Sequence, residues 1–303
     1  MVKFLTGHEV TAATLISVIV PVHGKTPWLE EALDSLVLQS HDNLEFVIVT
    51  DRPSSSAAKT ISRFASRESR AVVVNSPRIG LAAALNTGIS IAHGDLLARM
   101  DADDVMATRR LEIQEKYFRD APSLQVLGCQ ADYINEAGSM IGVSALPTRH
   151  DHIAFSLLWA NPMIHPGLLM RRELFENRFN YDENLPTGED YKLLLQMLKE
   201  GVTFGNTRES LLGYRRSSTQ MTSNTSAQQK FETEIAGYIF STFVDERKRN
   251  FVTARMFLHR FLKSGKLSDF SKFWIHSPAS ATKLSFLKIV WGFEARNSRR
   301  TPH

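Results

Sequence analysis

Leu96-Leu97-Ala98-Arg99-Met100-Asp101-Ala102-Asp103-Asp104 decides how this chain is read. A short, mostly apolar stretch of strand length runs straight into three carboxylates within four positions. Carboxylates this close repel one another and are costly to keep ionised together, so a metal or another cation is expected to neutralise them. The same residues also suit a solvated acidic turn or a helix N-terminus, where negative charge is welcome. The companions of the cluster decide between the two.

Upstream, apolar runs alternate with helical patterns. Leu15 to Val20 is short and β-branched, a buried strand that Pro21 is expected to stop. Thr26 before Pro27 reads as an N-cap with proline at the first helical position, and Leu29, Leu33, Leu36 and Val37 form the apolar stripe of the helix that follows. Leu44 to Val49 predicts a second strand, followed by the turn-rich Asp51 to Ser56, and Ala71 to Val74 predicts a third, before a helix over roughly residues 80–92. Leu96 to Met100 is then the fourth strand. This rhythm predicts an α/β fold, a mostly parallel sheet with helices on both faces.

In such sheets ligands bind beyond the carboxyl ends of the strands. That points to His23 and Gly24, Asp51 and Arg52, Arg78, and the cluster at 101–104. No Gly-x-Gly-x-x-Gly follows the first strand, which disfavours a dinucleotide cofactor and a phosphate-binding loop. Further on, Leu124 to Ile134 reads as one long or two short strands, with Asn135 to Ser139 as a hairpin turn into Met140 to Val143. Gly167 to Met170 reads as another strand after His165-Pro166. Gly188-Glu189-Asp190-Tyr191 opens an amphipathic helix carrying Leu193, Leu194, Met197 and Leu198. An acidic pair in a first helical turn is also an ordinary favourable cap.

Composition fits a folded protein: 303 residues, 43% hydrophobic and 22% charged, enough to bury a sizeable core. The lone Cys129, in an apolar run, forms neither an internal disulfide nor a thiolate metal site and reads as a small buried hydrophobe. No run of apolar residues is long enough to span a bilayer, and the N-terminus lacks the pattern of a cleaved signal peptide, so a cytoplasmic protein is expected. Charge is uneven, with residues 247–303 carrying thirteen Lys or Arg against Asp269 and Glu294.

The ordered set Ser17-Val18-Ile19-Val20-Pro21, Asp51, Gly80 through Asn86, Ala98 to Asp104, Arg109-Arg110-Leu111, His165-Pro166, Gly188 to Tyr191 and Leu211-Leu212-Gly213-Tyr214-Arg215 resembles family 2 glycosyltransferases of the GT-A fold. The likeness covers about residues 15–222 and is greatest to bacterial enzymes that assemble surface polysaccharides. It implies a catalytic domain over 1–222 and a basic helical extension over 223–303. It also implies an enzyme that moves a sugar from a nucleoside diphosphate donor, a uridine one by preference, to a hydroxyl of a glycan or lipid-linked glycan, with inversion. Pro21, His23, Asp51, Arg78, Asp101, Ala102 and Arg215 are implied on the donor side. Asp103 and Asp104 would hold Mg²⁺ or Mn²⁺, since an oxygen-only donor set suits either ion. Asp190 would be the base, with Glu189 beside it, and His165 would line the acceptor side. Many members carry a histidine two places beyond the tyrosine-arginine step, where this chain has Ser217.

Two rival readings and one open question stand beside this one. Asp101 and Asp103 also resemble the nucleophile loop of haloacid-dehalogenase-type phosphohydrolases, although that loop normally follows the first strand. A non-catalytic protein that binds sugar nucleotides or polysaccharide is the other rival. In the tail, Phe251, Phe257 and Phe261 sit among Arg255, Arg260 and Lys263. Such helices either lie peripherally on the anionic face of the inner membrane or pack on the catalytic domain with their charges in water. Nucleic acid is not an expected partner, because no recognised binding fold accompanies the charge.

Overall fold

The computed structural model describes residues 14–217, apart from Trp159, Asn177 and Pro186, together with Ile235 and Tyr238. All but the last two belong to one compact unit, Met1–Glu232. The expected basic helical extension, and the boundary drawn for it at 222, lie outside the described residues.

The first half alternates strands and helices: β1 (Ile16–Gly24), α1 (Leu29–Val37), β2 (Leu44–Pro53), α2 (Ser55–Arg67), β3 (Ala71–Asn75), α3 (Leu81–Ile91) and β4 (Leu96–Arg99). The second half adds β5 (Val105–Met106), α4 (Arg110–Asp120), β6 (Val126–Ile134), β7 (Met140–Val143), α5 (His150–Leu157), β8 (Leu169–Arg171), α6 (Glu189–Lys199) and β9 (Phe204–Arg215). One sheet runs β3-β2-β1-β4-β8-β6-β9-β5, with β7 paired to β6. Strands β1 to β4, β6 and β9 point one way, and β5, β7 and β8 run against them. The fold is therefore α/β with mostly parallel strands, as the sequence rhythm predicts.

Alternation along the strands supplies two buried faces. Val18 and Val20 of β1 and Phe46 and Ile48 of β2 share a core with Leu29, Leu33 and Leu36 of α1 and with Ile61 and Phe64 of α2. On the opposite face α3 approaches so closely that a Cβ on Gly88 would lie 2.5 Å from Ile19 Cγ2. Each fully buried Leu, Ile or Phe contributes about 1.5–3 kcal/mol, which outweighs the single buried, unpaired hydroxyl at Thr26.

Three local expectations change. Strand β1 continues through Pro21 to Gly24, because pairing to β4 ends at Ile19 and beyond it Pro21 needs to satisfy only β2, opposite Val49. Helix α1 begins at Leu29, not at Pro27; Thr26 and Pro27 form a turn in which the Thr26 carbonyl accepts from the Leu29 N–H at 3.3 Å. The serine-rich stretch after β2 starts a helix, since the Ser54 hydroxyl caps α2 by accepting from the Ala57 N–H at 3.2 Å.

The two halves are tied at the base of the site by a fully buried pair on α4. Arg110 donates from Nη2 to the carbonyls of Arg99 (3.1 Å) and Leu168 (3.2 Å) and from Nε to Gln114 Oε1 (3.0 Å). Gln114 in turn donates to the carbonyls of Leu127 and Gly167. At the opposite end of the sheet, Gly94 packs against Ser17: an added Cβ would lie 2.6 Å from the Ser17 backbone nitrogen and 2.8 Å from the Leu15 carbonyl. Neither neighbour is a flexible side-chain end, so Gly94→Ala is expected to destabilise the fold by about 1–3 kcal/mol, read as a lowered midpoint in thermal unfolding.

Candidate active site

The carboxyl ends of the parallel strands carry the residues that the sequence points to. Pairing β1 to β4 sets Ile19 beside Arg99, and β4 then delivers Asp101, Asp103 and Asp104. Each of these aspartates offers an oxygen, and the three oxygens lie within 4.8 Å of one another. Burial pushes the Asp103 carboxyl up to about 6, and the charge on Asp101 adds to the effect. Asp104 is driven well above the ordinary carboxylate range, again by burial first and Asp101 second. Its Oδ1 accepts from the Arg215 main-chain N–H at 2.7 Å, while its buried Oδ2 has no hydrogen-bond partner. A buried carboxylate oxygen left open beside two other acids fits a hard divalent cation.

Arg99, 3% exposed, lies beneath the cluster with Nη1 2.5 Å from Asp101 Oδ2. That contact is an ion pair without hydrogen-bond geometry, so Nε and Nη1 remain unsatisfied by hydrogen bonds. Its charge acts on Asp103, Asp104, Glu189 and Asp190 alike, and the charge on Asp101 reaches Glu189. Acids almost ninety positions apart in sequence thus share one electrostatic environment.

The second acid group sits at the start of α6, where Gly188 takes the left-handed backbone (φ 78) that turns the chain into the helix. Glu189 is buried, and burial followed by the neighbouring Asp190 charge pushes its carboxyl up to about 7. Burial raises Asp190 as well, opposed by hydrogen bonds that include Asn161 Nδ2 to Oδ2 at 2.8 Å. His165, in a short 3₁₀ turn, is buried with Nε2 2.8 Å from the Tyr181 hydroxyl and Nδ1 4.0 Å from Glu189 Oε1. Burial, aided by Arg99, holds its pKa well below the ordinary value, so a neutral imidazole faces the acid pair.

The residues expected on the donor side lie in different surroundings. Asp51 lies at the end of β2, buried, with Oδ2 accepting from the Gly80 N–H (2.9 Å) and lying 3.1 Å from His23 Nδ1, while Oδ1 accepts from Arg52 Nε (3.2 Å). Burial works to raise its pKa, but these partners outweigh it and the carboxyl is lowered. His23 is exposed beside it, and Pro21 is buried within β1. Ala102 turns its methyl into the core. Arg78 is exposed and pairs at 2.8 Å with Glu183, on a segment that Asn86 clamps through the Tyr181 backbone and the Glu183 carboxylate.

Arg215 departs from the donor-side place that the resemblance implies for it. Its side chain is 1% exposed and its donors go to the Asp103 carbonyl (2.7 Å), the Asn135 carbonyl (3.0 Å) and Glu31 Oε2 (2.6 Å), with Trp28 5.0 Å below the guanidinium. It braces the cluster from behind. Arg216, over the Tyr133 ring at 4.1 Å, is the neighbour whose guanidinium lies outside that brace.

Residues 17–179 match glycosyl transferase family 2, more than half of the chain. The chain belongs to that family. It is 30% identical to the O-antigen biosynthesis glycosyltransferase WbnJ of Escherichia coli over 205 residues, 66% of this chain and 79% of the relative. It is 28% identical to the amylovoran biosynthesis glycosyltransferase AmsE of Erwinia amylovora over 207 residues, 67% and 77% of the two chains. In fold it resembles S. aureus TarS 1-349 in complex with UDP-GlcNAc, with TM-score 0.65 at 16% identity over 86% of this chain and 79% of that one. It also resembles the mannosyltransferase PcManGT of Pyrobaculum calidifontis in complex with GDP-Man and Mn²⁺, with TM-score 0.62 at 18% identity, 93% and 81% covered. The fold is GT-A and the protein is a glycosyltransferase. The phosphohydrolase rival falls away, since the carboxylates follow β4 and the fold is a different one; the purely binding rival falls with it.

The site residues that sequence reasoning passed over are polar side chains supporting the acids: Asn161 on Asp190, Tyr181 on His165, and Tyr214, whose hydroxyl is pushed up to about 12 by burial and by Asp101. Only Tyr214 stood in a quoted motif. Replacing Asn161 with alanine removes a donor that favours ionised Asp190. Asn161→Ala is therefore expected to raise the Asp190 pKa, checked by NMR titration of that carboxyl in both proteins.

Proposed function

We propose that this glycosyltransferase is metal-dependent and inverting, moving a sugar from a uridine diphosphate donor to a hydroxyl of a glycan or lipid-linked glycan during surface-polysaccharide assembly. The observation that carries the reading is the open, buried Asp104 oxygen beside Asp101 and Asp103, within the field of the same Arg99 that acts on Glu189 and Asp190. The surface-polysaccharide roles in the names of WbnJ and AmsE support the acceptor class, and the UDP-GlcNAc and GDP-Man complexes of the two fold neighbours support the donor class.

Asp103 and Asp104 would hold Mg²⁺ or Mn²⁺, both suited to oxygen donors. When bound, such an ion neutralises charge developing on the departing diphosphate. Asp101, fixed by Arg99, faces the ribose or the sugar. Asp190 takes the proton of the acceptor hydroxyl as that oxygen attacks the anomeric carbon from the side opposite the diphosphate. One displacement of this kind inverts the centre. Glu189 keeps a carboxyl next to the base, and neutral His165 lines the acceptor side without adding positive charge. Among the described residues no helix is long and apolar enough to cross a membrane. The basic residues 247–303 are our candidate for peripheral contact with anionic lipid at the cytoplasmic face.

Asp190→Asn is expected to lower kcat by about 10²-fold or more while donor affinity holds, measured by nucleoside diphosphate release beside calorimetric donor binding. Normal turnover would overturn the base assignment. Asp103→Ala should abolish the Mn²⁺-dependent rise in melting temperature that the donor gives the unaltered protein. The base acts only when ionised, and Glu189 is pushed up to about 7, so kcat/KM is expected to rise with pH through about 7 as the coupled acid pair loses its last proton.

A further inference from the structure

We propose that Arg52 is the residue that selects the donor base, reading a uracil edge together with Asp51; the inference rests on the donor reading above and names the group that enforces it. Its starting point is backbone geometry. In the β1–β2 ladder His23 stands opposite Asp51 and Gly24 opposite Pro53, which leaves Arg52 as the extra residue of a β-bulge. Bulges beside active sites re-aim a side chain. Arg52 is also the one non-glycine among the described residues with a positive φ, 48°. Glycine takes that conformation freely, and arginine does not.

The surroundings hold the bulge in place. The Ser54 N–H donates to the Gly24 carbonyl at 2.8 Å, and Asp51 Oδ2 accepts from the Gly80 N–H and contacts His23. The strained residue nevertheless buries little, with its side chain 61% exposed. What the conformation achieves is placement: Arg52 Nε lies 3.2 Å from Asp51 Oδ1, and no other hydrogen bond engages its guanidinium among the described residues. Strain kept at a ligand-binding end of a sheet, with no packing return, marks a functional side chain.

Hydrogen-bond capacity then names the base. Oδ2 of Asp51 already has two partners and Oδ1 has one, which leaves room on Oδ1 for a single further N–H. Beside it the Nη groups of Arg52 supply charged donors suited to a carbonyl oxygen. One acceptor position next to charged donors matches a ring N–H flanked by carbonyl oxygens, which is the edge of uracil. Guanine brings an additional amino group that finds no second open acceptor on Asp51, and the corresponding ring nitrogen of cytosine has no hydrogen.

Calorimetric titration of the full chain with UDP, GDP and CDP, each with Mn²⁺, tests this, alongside the Arg52→Gly variant. Glycine takes φ 48° without steric strain, and that relief offsets its larger entropy loss on folding, so the variant's melting temperature should hold and any loss of binding reports the guanidinium. The unaltered protein should bind UDP tightest of the three, and Arg52→Gly should weaken UDP about 10-fold or more while narrowing its lead over CDP. Unchanged UDP affinity and an unchanged UDP-to-CDP ratio in the variant would overturn the role of Arg52 alone. A preference of the unaltered protein for GDP or CDP would overturn the uracil assignment, and binding of none of the three would overturn the donor reading together with it.

Discussion

The burial of one cation organises the catalytic end of this molecule. An ion taken out of water loses several kcal/mol of hydration, and Arg99 is almost wholly buried at the end of β4. That cost is offset only if negative charge surrounds the guanidinium, and it does: Asp101 at 2.5 Å, with Asp103, Asp104, Glu189 and Asp190 within its field. The acids need Arg99 for the same reason. Without it, burial and mutual repulsion would raise Asp103, Asp104, Glu189 and Asp190 further. Strand register fixes where the cation stands, because Arg99 pairs with Ile19 and its own N–H donates to the Leu168 carbonyl at 3.0 Å.

The same economy of buried charge appears one layer down. Arg110 is fully buried with carbonyls and an amide as its hydrogen-bond acceptors, and burial pulls its pKa down. It holds the carbonyl of Arg99 itself, so a neutral-acceptor tie on α4 positions the charge-balanced group above it. The parallel strands and the strands that run against them meet at this tie, through Leu127, Gly167 and Leu168. Fold and site therefore share a support.

The sequence makes β1 and β2 readable because they are rich in β-branched residues and buried on both faces, and Asp51 and the 101–104 cluster readable because they stand at the ends of strands. The serines of Ser54 to Ser56 read as a turn, because a helix cap and first turn look the same in sequence as a loop until Ser54 meets Ala57. Pro21 reads as a strand end, yet β1 runs on past it, because proline's tolerance depends on which neighbouring strand has already ended. Polar supports such as Asn161 and Tyr181 carry no periodicity, and their partners lie 29 and 16 positions away in the chain. The resemblance implies Arg215 on the donor side, but a guanidinium suits backbone carbonyls as well as phosphates, and only three-dimensional packing distinguishes them.

That guanidinium has an implication for how the protein can be divided. It belongs to the last residue of β9, yet it grips the loop that carries the acids, the turn leading to β7, and a glutamate on the first helix. A catalytic fragment trimmed even slightly short of residue 215 would lose the wedge behind its own acidic loop while keeping every acid in sequence. The end of β9 is thus as much a part of the candidate site as the aspartates are, because its last residue holds the loop that carries them.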